Sequence, residues 1–333
     1  MNVLITGIAG FYGHHLAKYI LRNEPGWNVV GLDRIDFAGN LNRLKDLPEW
    51  NSAVEEGRAK FIWHDLRAPI NTFLADQIGD VDMIFHIAAA SHVDRSIADP
   101  VGYVMDNVVG AAHTLEYART LGNKLKYFNY FSTDEVFGPL EEDGQRYKEW
   151  DRFHAGNPYS ATKAGAEELA LAYQNTYRIP VVVTHCMNIV GERQHPEKYL
   201  PRIIRSMLNN EMLHIHTDDS GKVPSKRHYI YVDNVSSAVL FLAENGTPGD
   251  KYNIEGTIEL DNLEFAQMVE EVFDNGEKLN YKLIKASIDR PGHDWAYGLN
   301  GDKLREMGWK PDSTFKGNLK HTIDWYKENK NWL

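Results

Sequence analysis

Met1-Asn2-Val3-Leu4-Ile5-Thr6-Gly7-Ile8-Ala9-Gly10-Phe11-Tyr12-Gly13 opens the chain and sets its fold class. Val3–Thr6 is a short apolar run ending in glycine, and His14–Arg22 is helix-like. Between them Gly7, Gly10 and Gly13 give the spacing G-x-x-G-x-x-G. Glycine permits a tight turn and lets backbone amides approach a pyrophosphate, and the helix that follows offers N–H groups and a partial positive charge. A glycine triplet alone also fits a plain strand–helix turn. Here the next apolar run, Asn28–Leu32, ends at an acidic residue, Asp33. A carboxylate there accepts ribose hydroxyls and repels a 2′-phosphate, which points to NAD; Arg34, directly after it, is the feature that argues the other way.

The rhythm continues outward from this turn. Phe61–His64, Met83–Ile87, Lys126–Ser132 and Pro180–Cys186 read as further strands, and Val101–Leu121 and Tyr159–Tyr177 as long helices. Strand–helix alternation with near-continuous apolar strands predicts an α/β fold, a doubly wound parallel sheet of Rossmann type with helices on both faces. After about Cys186 the rhythm breaks, and 188–221 and 256–333 carry more charge, proline and aromatics. Tyr229–Asn245 reads as a strand and helix that rejoin the sheet. The expected division is a cofactor domain of residues 1–187 plus about 226–255, and a smaller, discontinuous substrate domain of about 188–225 plus 256–333.

Composition excludes some classes. A net charge of −11 is wrong for coating a nucleic-acid backbone. Cys186 is the only cysteine, so no intrachain disulfide forms. No apolar run approaches the ~20 residues of a transmembrane helix, and no basic, then apolar leader opens the sequence, so a cytoplasmic location without membrane or nucleic-acid partners is expected. No metal site is expected.

Tyr159 and Lys163 stand four apart, which on a helix is one face. A nearby ammonium and a nicotinamide cation would lower the phenol's proton affinity and make it a base. The same spacing recurs at Tyr281/Lys285 and Tyr326/Lys330, so spacing alone carries little; only the first pair opens a helix and follows Ser132-Thr133 at a strand end, where ligands of α/β sheets gather. Asp134 and Glu135 come next. Adjacent carboxylates can divide acid and base work, but neighbours on a regular strand face opposite ways, so both reach one substrate only if the backbone turns there. An acidic turn facing water fits the same residues. Asp65-Leu66, after the third strand, suits an adenine edge or a plain surface loop.

Taken together, these segments resemble the extended short-chain dehydrogenase/reductases, and within them the nucleotide-sugar 4,6-dehydratases. Asp33 with Ala38-Gly39-Asn40-Leu41, the run His86-Ile87-Ala88-Ala89-Ala90-Ser91-His92-Val93-Asp94-Arg95-Ser96, Ser132-Thr133-Asp134-Glu135-Val136, and Asn157-Pro158-Tyr159 with Ala161-Thr162-Lys163-Ala164 are similar to that family's motifs. So are Pro196-Glu197-Lys198, the set Arg227, Tyr231, Val232 and Asp233, and Arg290-Pro291-Gly292-His293-Asp294, giving a resemblance from end to end. The resemblance implies that Tyr159, assisted by Lys163 and with Thr133 at the same hydroxyl, takes the proton from the sugar O4 while hydride passes from C4 to NAD⁺. Glu135 then removes the C5 proton, Asp134 protonates the departing 6-hydroxyl, and the hydride returns to C6. It also implies cofactor contacts from Gly7, Gly10, Phe11, Tyr12, Gly13, Asp33, Arg34, Asp65, Leu66, Ala88, Ala89, Ser91, Asn107, Tyr159, Lys163 and Ile189. Substrate contacts are implied for His92, Thr133, Asn188, Lys198, Tyr199, His214, His216, Arg227, Asn253, Arg290 and His293, with dTDP-glucose as the expected substrate and a homodimer formed through Val101–Leu121 and Tyr159–Tyr177. The sequence departs from the family pattern at Ala90 (glutamate in the family), at Met187 and Ile189 around Asn188, at Tyr199 (leucine), and at Trp295 and Ala296, where arginines are common. A 4-epimerase or decarboxylase on the same scaffold would need Tyr159 and Lys163 but not Asp134 and Glu135. A non-catalytic NAD-binding protein would need none of them.

Overall fold

The structure is a computed structural model that describes every residue except 143, 275, 277 and 286–294. The chain divides into two compact units, one of residues 1–136, 157–185 and 236–252, the other of residues 137–156, 186–235 and 253–333.

The first unit is built on a seven-stranded sheet. Its strands are β1 (Asn2–Thr6), β2 (Asn28–Asp33), β3 (Ala59–Trp63), β4 (Met83–His86), β5 (Tyr127–Thr133), β6 (Val181–Cys186) and, at the far edge, β10 (Lys251–Ile254), in the order β10-β6-β5-β4-β1-β2-β3. β1 pairs in parallel with both β2 and β4, so the chain reverses its direction of travel across the sheet at β1. Ligands of doubly wound sheets bind at this switch point, beyond the C-terminal strand ends. Val181, Val183, Phe128, Ile84 and Leu4 are fully buried beneath the helices carrying Leu115, Ala166 and Ala170. Each such aliphatic or aromatic side chain contributes roughly 1.5–3 kcal/mol on burial.

Two expectations about this unit need correction. The predicted continuous helix Val101–Leu121 is interrupted: an α-helical turn at Pro100–Tyr103 leads into a π-helical stretch, Val104–Val109, before the α-helix Gly110–Leu121. The strand predicted to rejoin the main sheet does not do so. It is β9 (Lys226–Tyr231), which pairs in parallel with β7 (Asn188–Val190) and antiparallel with β11 (Ile258–Asp261) in a separate three-stranded sheet. Residues 226–235 therefore fall in the second unit. So do 137–156, because Tyr147 exchanges backbone hydrogen bonds with Gly298 and Asn300.

In the second unit β8 (Leu213–Thr217) pairs in parallel with β12 (Tyr281–Lys285). Its core joins Ile203, Ile204 and Met207 of the helix Tyr199–Asn209 to Phe265, Val269 and Phe273 of Asn262–Phe273 and to Leu319, Ile323 and Tyr326 of Phe315–Glu328. Among the described residues no helix is long and apolar enough to cross a membrane.

Candidate active site

At the end of β1 the chain turns through Gly7, whose φ of 73° is left-handed. A Cβ on Gly7 would lie 2.7 Å from the Ala88 Cα, and one on Gly13 would lie 2.1 Å from the Gly7 carbonyl oxygen. Only glycine fits either place. The helix Phe11–Asn23 then starts at Gly10 with no side-chain cap, which leaves its first-turn N–H groups to an anion. Asp33 stands at the end of β2, its carboxylate accepting from Ala9 N (2.9 Å) and Ile35 N (2.8 Å). These features fit a dinucleotide's pyrophosphate and ribose.

The loop after β4 faces this turn. Ala88 N donates to the Thr6 hydroxyl at 3.3 Å. Asn107, on the π-helical stretch, accepts from Ala90 N at 2.8 Å and donates to Ala90 O at 3.0 Å and to the Thr162 hydroxyl at 2.9 Å. Asn107, expected at the cofactor, is buried, and its side chain fixes Ala90 in the loop after β4. Tyr103 does the same for His92, donating to its carbonyl at 2.6 Å and accepting its N–H at 3.1 Å. Ser91, between them, is exposed. Phe11 packs edge-on against His15, and Tyr12 stacks on Phe131 at 4.5 Å. The Leu66 carbonyl lies 2.7 Å from Nδ1 of His113. Asp65 accepts Arg67 N at 2.9 Å. The Arg34 guanidinium, expected at the cofactor, is instead held by Asp106, Asp36 and Asp65.

The second cluster lies at the end of β5. Thr133 closes the strand, and Asp134–Phe137 forms one 3₁₀ turn. This is the break that lets neighbouring carboxylates leave the strand's alternation. Thr133 donates to Asp134 Oδ1 at 3.1 Å and its hydroxyl accepts Glu135 N at 3.4 Å. Tyr159 is delivered by the helix Pro158–Tyr177, which starts in a capping box: Asn157 Oδ1 accepts Ser160 N at 2.9 Å and the Ser160 hydroxyl answers at Asn157 N. Proline at the first helical position suits this start. The Tyr159 hydroxyl shares a hydrogen bond with Thr133, and both Glu135 and Asp134 act on it electrostatically.

The electrostatics differ from the expectation. Burial pushes the Tyr159 phenol well above its ordinary value, the Glu135 charge pushes the same way, and only the Thr133 hydrogen bond opposes them. Lys163 lies one helical turn on and donates to the Phe131 carbonyl at 2.6 Å, above the Tyr130 ring. Burial lowers its pKa to about 7, with Glu167 pulling it back up. Burial and the neighbouring carboxylates thus hold the phenol's proton, and positive charge nearby would work the other way.

Behind Lys163 is a node that sequence reading missed. Glu167 is fully buried on the same helix face and accepts from the Ser132 hydroxyl (2.7 Å), Lys251 Nζ (2.9 Å) and His185 Nε2 (3.0 Å). Burial alone would raise its pKa; the His185 and Lys251 contacts overcome this and hold it at about 2. The only sequence signal was the i, i+4, i+8 repeat of Tyr159, Lys163 and Glu167.

In the second unit, Asn188 Nδ2 donates to the His228 carbonyl at 3.3 Å, and Ile189 sits beside it in β7. Arg227 stacks over Tyr297 at 4.9 Å and donates to the Trp295 carbonyl at 3.0 Å. Lys198 occupies the N-cap position of Tyr199–Asn209 with no side-chain capping bond. His214 and His216 share the face of β8 opposite Leu213 and Ile215, which enter the core. Two residues expected at the substrate hold hydrogen bonds within their own unit. Tyr199 packs on Phe265 and donates to the Asn262 carbonyl at 2.7 Å. Asn253 is fully buried, its amide donating to the carbonyls of Tyr147 and Asn300, both at 3.0 Å. Arg290 and His293 lie outside the described residues.

A glycine turn at the switch point, together with tyrosine and lysine one turn apart at the end of β5, defines an extended short-chain dehydrogenase/reductase that uses NAD. The match to known proteins narrows this. The family model described as GDP-mannose 4,6 dehydratase matches residues 4–322. The dTDP-glucose 4,6-dehydratase of Shigella flexneri is 33% identical over 100% of this chain and 94% of its own. A trifunctional protein of Arabidopsis thaliana with UDP-glucose 4,6-dehydratase among its activities is 34% identical over 99% of this chain and 48% of its own. The dTDP-glucose 4,6-dehydratase of Streptomyces venezuelae, solved with NAD bound, superimposes with a TM-score of 0.88 at 32% identity, over 100% of this chain and 98% of that one. The chain belongs to the nucleotide-sugar 4,6-dehydratase family, and its activity is NAD-dependent 4,6-dehydration.

Proposed function

We propose that the substrate is dTDP-glucose and that the Thr133-Asp134-Glu135 turn and Tyr159 carry out its dehydration. The observation that supports this reading is the 3₁₀ turn, which ends the strand's alternation directly after Thr133, whose hydroxyl donates to Asp134 Oδ1 at 3.1 Å and accepts Glu135 N at 3.4 Å. An epimerase has no use for the two carboxylates. Tyr159 removes the O4 proton, relayed through the Thr133 hydroxyl. Bound NAD would supply the hydride acceptor for C4 and, once reduced, the hydride donor for C6. Ketone formation at C4 acidifies C5, whose proton goes to Glu135 and is returned to C5 when hydride reaches C6. Asp134, the more buried of the two, is the acid that protonates the leaving 6-hydroxyl, and the more open Glu135 is the base. Lys198 and Arg227 are proposed phosphate contacts, with Asn188, His92, His214 and His216 as further substrate contacts; guanidinium and ammonium groups suit a diphosphate.

A cytoplasmic homodimer is part of the same reading. It is supported by the exposed apolar side chains Ile97, Val101, Val104 and Met105, gathered on one stretch that leads into Gly110–Leu121. The test of function is product mass after incubation with NAD⁺ and dTDP-, UDP-, CDP- and GDP-hexoses. Loss of one water from dTDP-glucose without accumulated NADH is expected. Water loss from the UDP sugar alone would replace the proposed substrate, and an unchanged mass with inverted configuration would replace the proposed reaction.

A further inference from the structure

Arg34 follows Asp33 at the end of β2, where the adenosine ribose meets a sheet of this kind. A guanidinium at that place is the ordinary partner of a 2′-phosphate. In this chain it is engaged elsewhere. Its Nη1 lies 2.5 Å from Asp106 Oδ1 and its Nη2 2.9 Å from Asp106 Oδ2, a two-pronged clamp. Nη2 also meets Asp36, and Nη1 reaches Asp65 at 3.5 Å. Arg67 arrives from the loop after β3 and donates Nε to the same Asp106 Oδ1 at 2.6 Å.

Two cations therefore converge on one carboxylate. Asp106 is 10% exposed and Arg34 22%, so the pair is far less screened than a surface bridge. Burial alone would raise the Asp106 pKa, but its two guanidinium donors reverse this and keep it below the usual carboxylate range. The ion pair thus persists across neutral pH. The π-helical stretch carries both devices side by side: Asn107 fixes the Ala88–Ala90 loop, and Asp106 takes the arginines.

We propose that Asp106 is a cofactor-specificity residue, holding Arg34 and Arg67 away from the ribose so that no cation there rewards a 2′-phosphate. Asp33 repels the phosphate directly; Asp106 removes the groups that would offset that repulsion. This rests on the reading that Asp33 marks the ribose end of the NAD site.

The test is the dissociation constant of NAD⁺ and of NADP⁺ on protein stripped of cofactor, read by calorimetry. Asp106→Ala is expected to tighten NADP⁺ relative to NAD⁺ by about tenfold or more, the scale of one charge-assisted hydrogen bond. Adding salt should shrink that gain, and Arg34→Ala with Arg67→Ala in the same background should erase it. Asp106→Asn keeps the side-chain shape and should shift the ratio in the same direction, so the inference stays testable if the alanine variant does not fold. An unchanged NADP⁺/NAD⁺ ratio in a folded Asp106 variant, or a gain that survives loss of both arginines, overturns it. Wild-type protein that binds neither dinucleotide would instead remove the cofactor reading beneath it.

Discussion

Neighbouring strand ends of one sheet solve different problems by different means. At β1 and β4 the surface is built from backbone: Gly7 and Gly13 leave no room for a side chain, and Asn107 fixes Ala90 by its main chain. At β5 it is built from buried charge: Tyr159, Lys163 and Glu167 descend one helix face onto Ser132, His185 and Lys251. A site that binds a diphosphate needs N–H groups and close approach. A site that moves protons needs groups whose proton affinities differ and stay fixed.

If that contrast is right, changes at β5 should remove chemistry and spare binding. Tyr159→Phe deletes the proton acceptor, and turnover should fall by about 10³-fold or more while NAD still binds. Sugar-nucleotide product by mass spectrometry and NAD⁺ affinity by calorimetry separate the two. Asp134→Asn with Glu135→Gln should reduce dehydration by about 100-fold or more but leave C4 oxidation, so NADH absorbance should appear and persist. Dehydration that survives this double change removes the proposed acid and base roles.

The same contrast explains what was legible in the sequence. Backbone-built surfaces announce themselves, because only glycine tolerates the approach; Gly7, Gly13 and Asp33 were readable from spacing. The groups proposed to react were readable as one cluster too, since Tyr159, Lys163 and the Thr133-Asp134-Glu135 run sit at a predicted strand end. Their supports were not. Glu167, His185 and Lys251 come from a helix and two strands far apart in sequence, and nothing local marks them as partners. Nor were the internal bonds of Asn253 and Tyr199 readable: polar residues matched to a substrate role also bond backbone carbonyls of their own unit. The excursion 137–156 was misplaced because its pairing with residues 298–300 is long-range.

Glu167→Gln tests the support rather than the chemistry. It takes from buried Lys251 its nearer anion, at 2.9 Å, and leaves Glu168 at 3.6 Å, at a cost of up to about 3–5 kcal/mol, measured by denaturant unfolding at neutral pH. Wild-type stability should also depend on this group in acid. Its pKa falls from 4.5 to about 2 on folding, so the unfolded chain binds the extra proton between those values. The contribution, roughly 3 kcal/mol, is complete above pH 4.5 and is lost as pH falls toward 2. Wild type should therefore lose stability steeply through that window, and Glu167→Gln should flatten the slope. Parallel pH profiles would mean that the node is not what holds β5, β6 and β10 together in acid.

The smallest expected effect is the most discriminating about position. Asn157 accepts Ser160 N at 2.9 Å and so fixes where the helix begins, two residues before the chemistry of Tyr159 is placed. Asn157→Ala should cost about 1 kcal/mol of stability, as N-caps generally do. Yet Tyr159 sits in that first turn, and a displacement of about 1 Å at a reacting group can cost on the order of 100-fold in rate. Turnover should therefore fall by more than the stability loss accounts for, with NAD⁺ affinity unchanged because the glycine turn belongs to another strand end. Asn157→Ser, which keeps an oxygen for the Ser160 amide, should restore both. A rate that tracks stability alone would show that Tyr159 is positioned by packing against Thr133 and the β5 turn, and that the capping box serves only to start the helix.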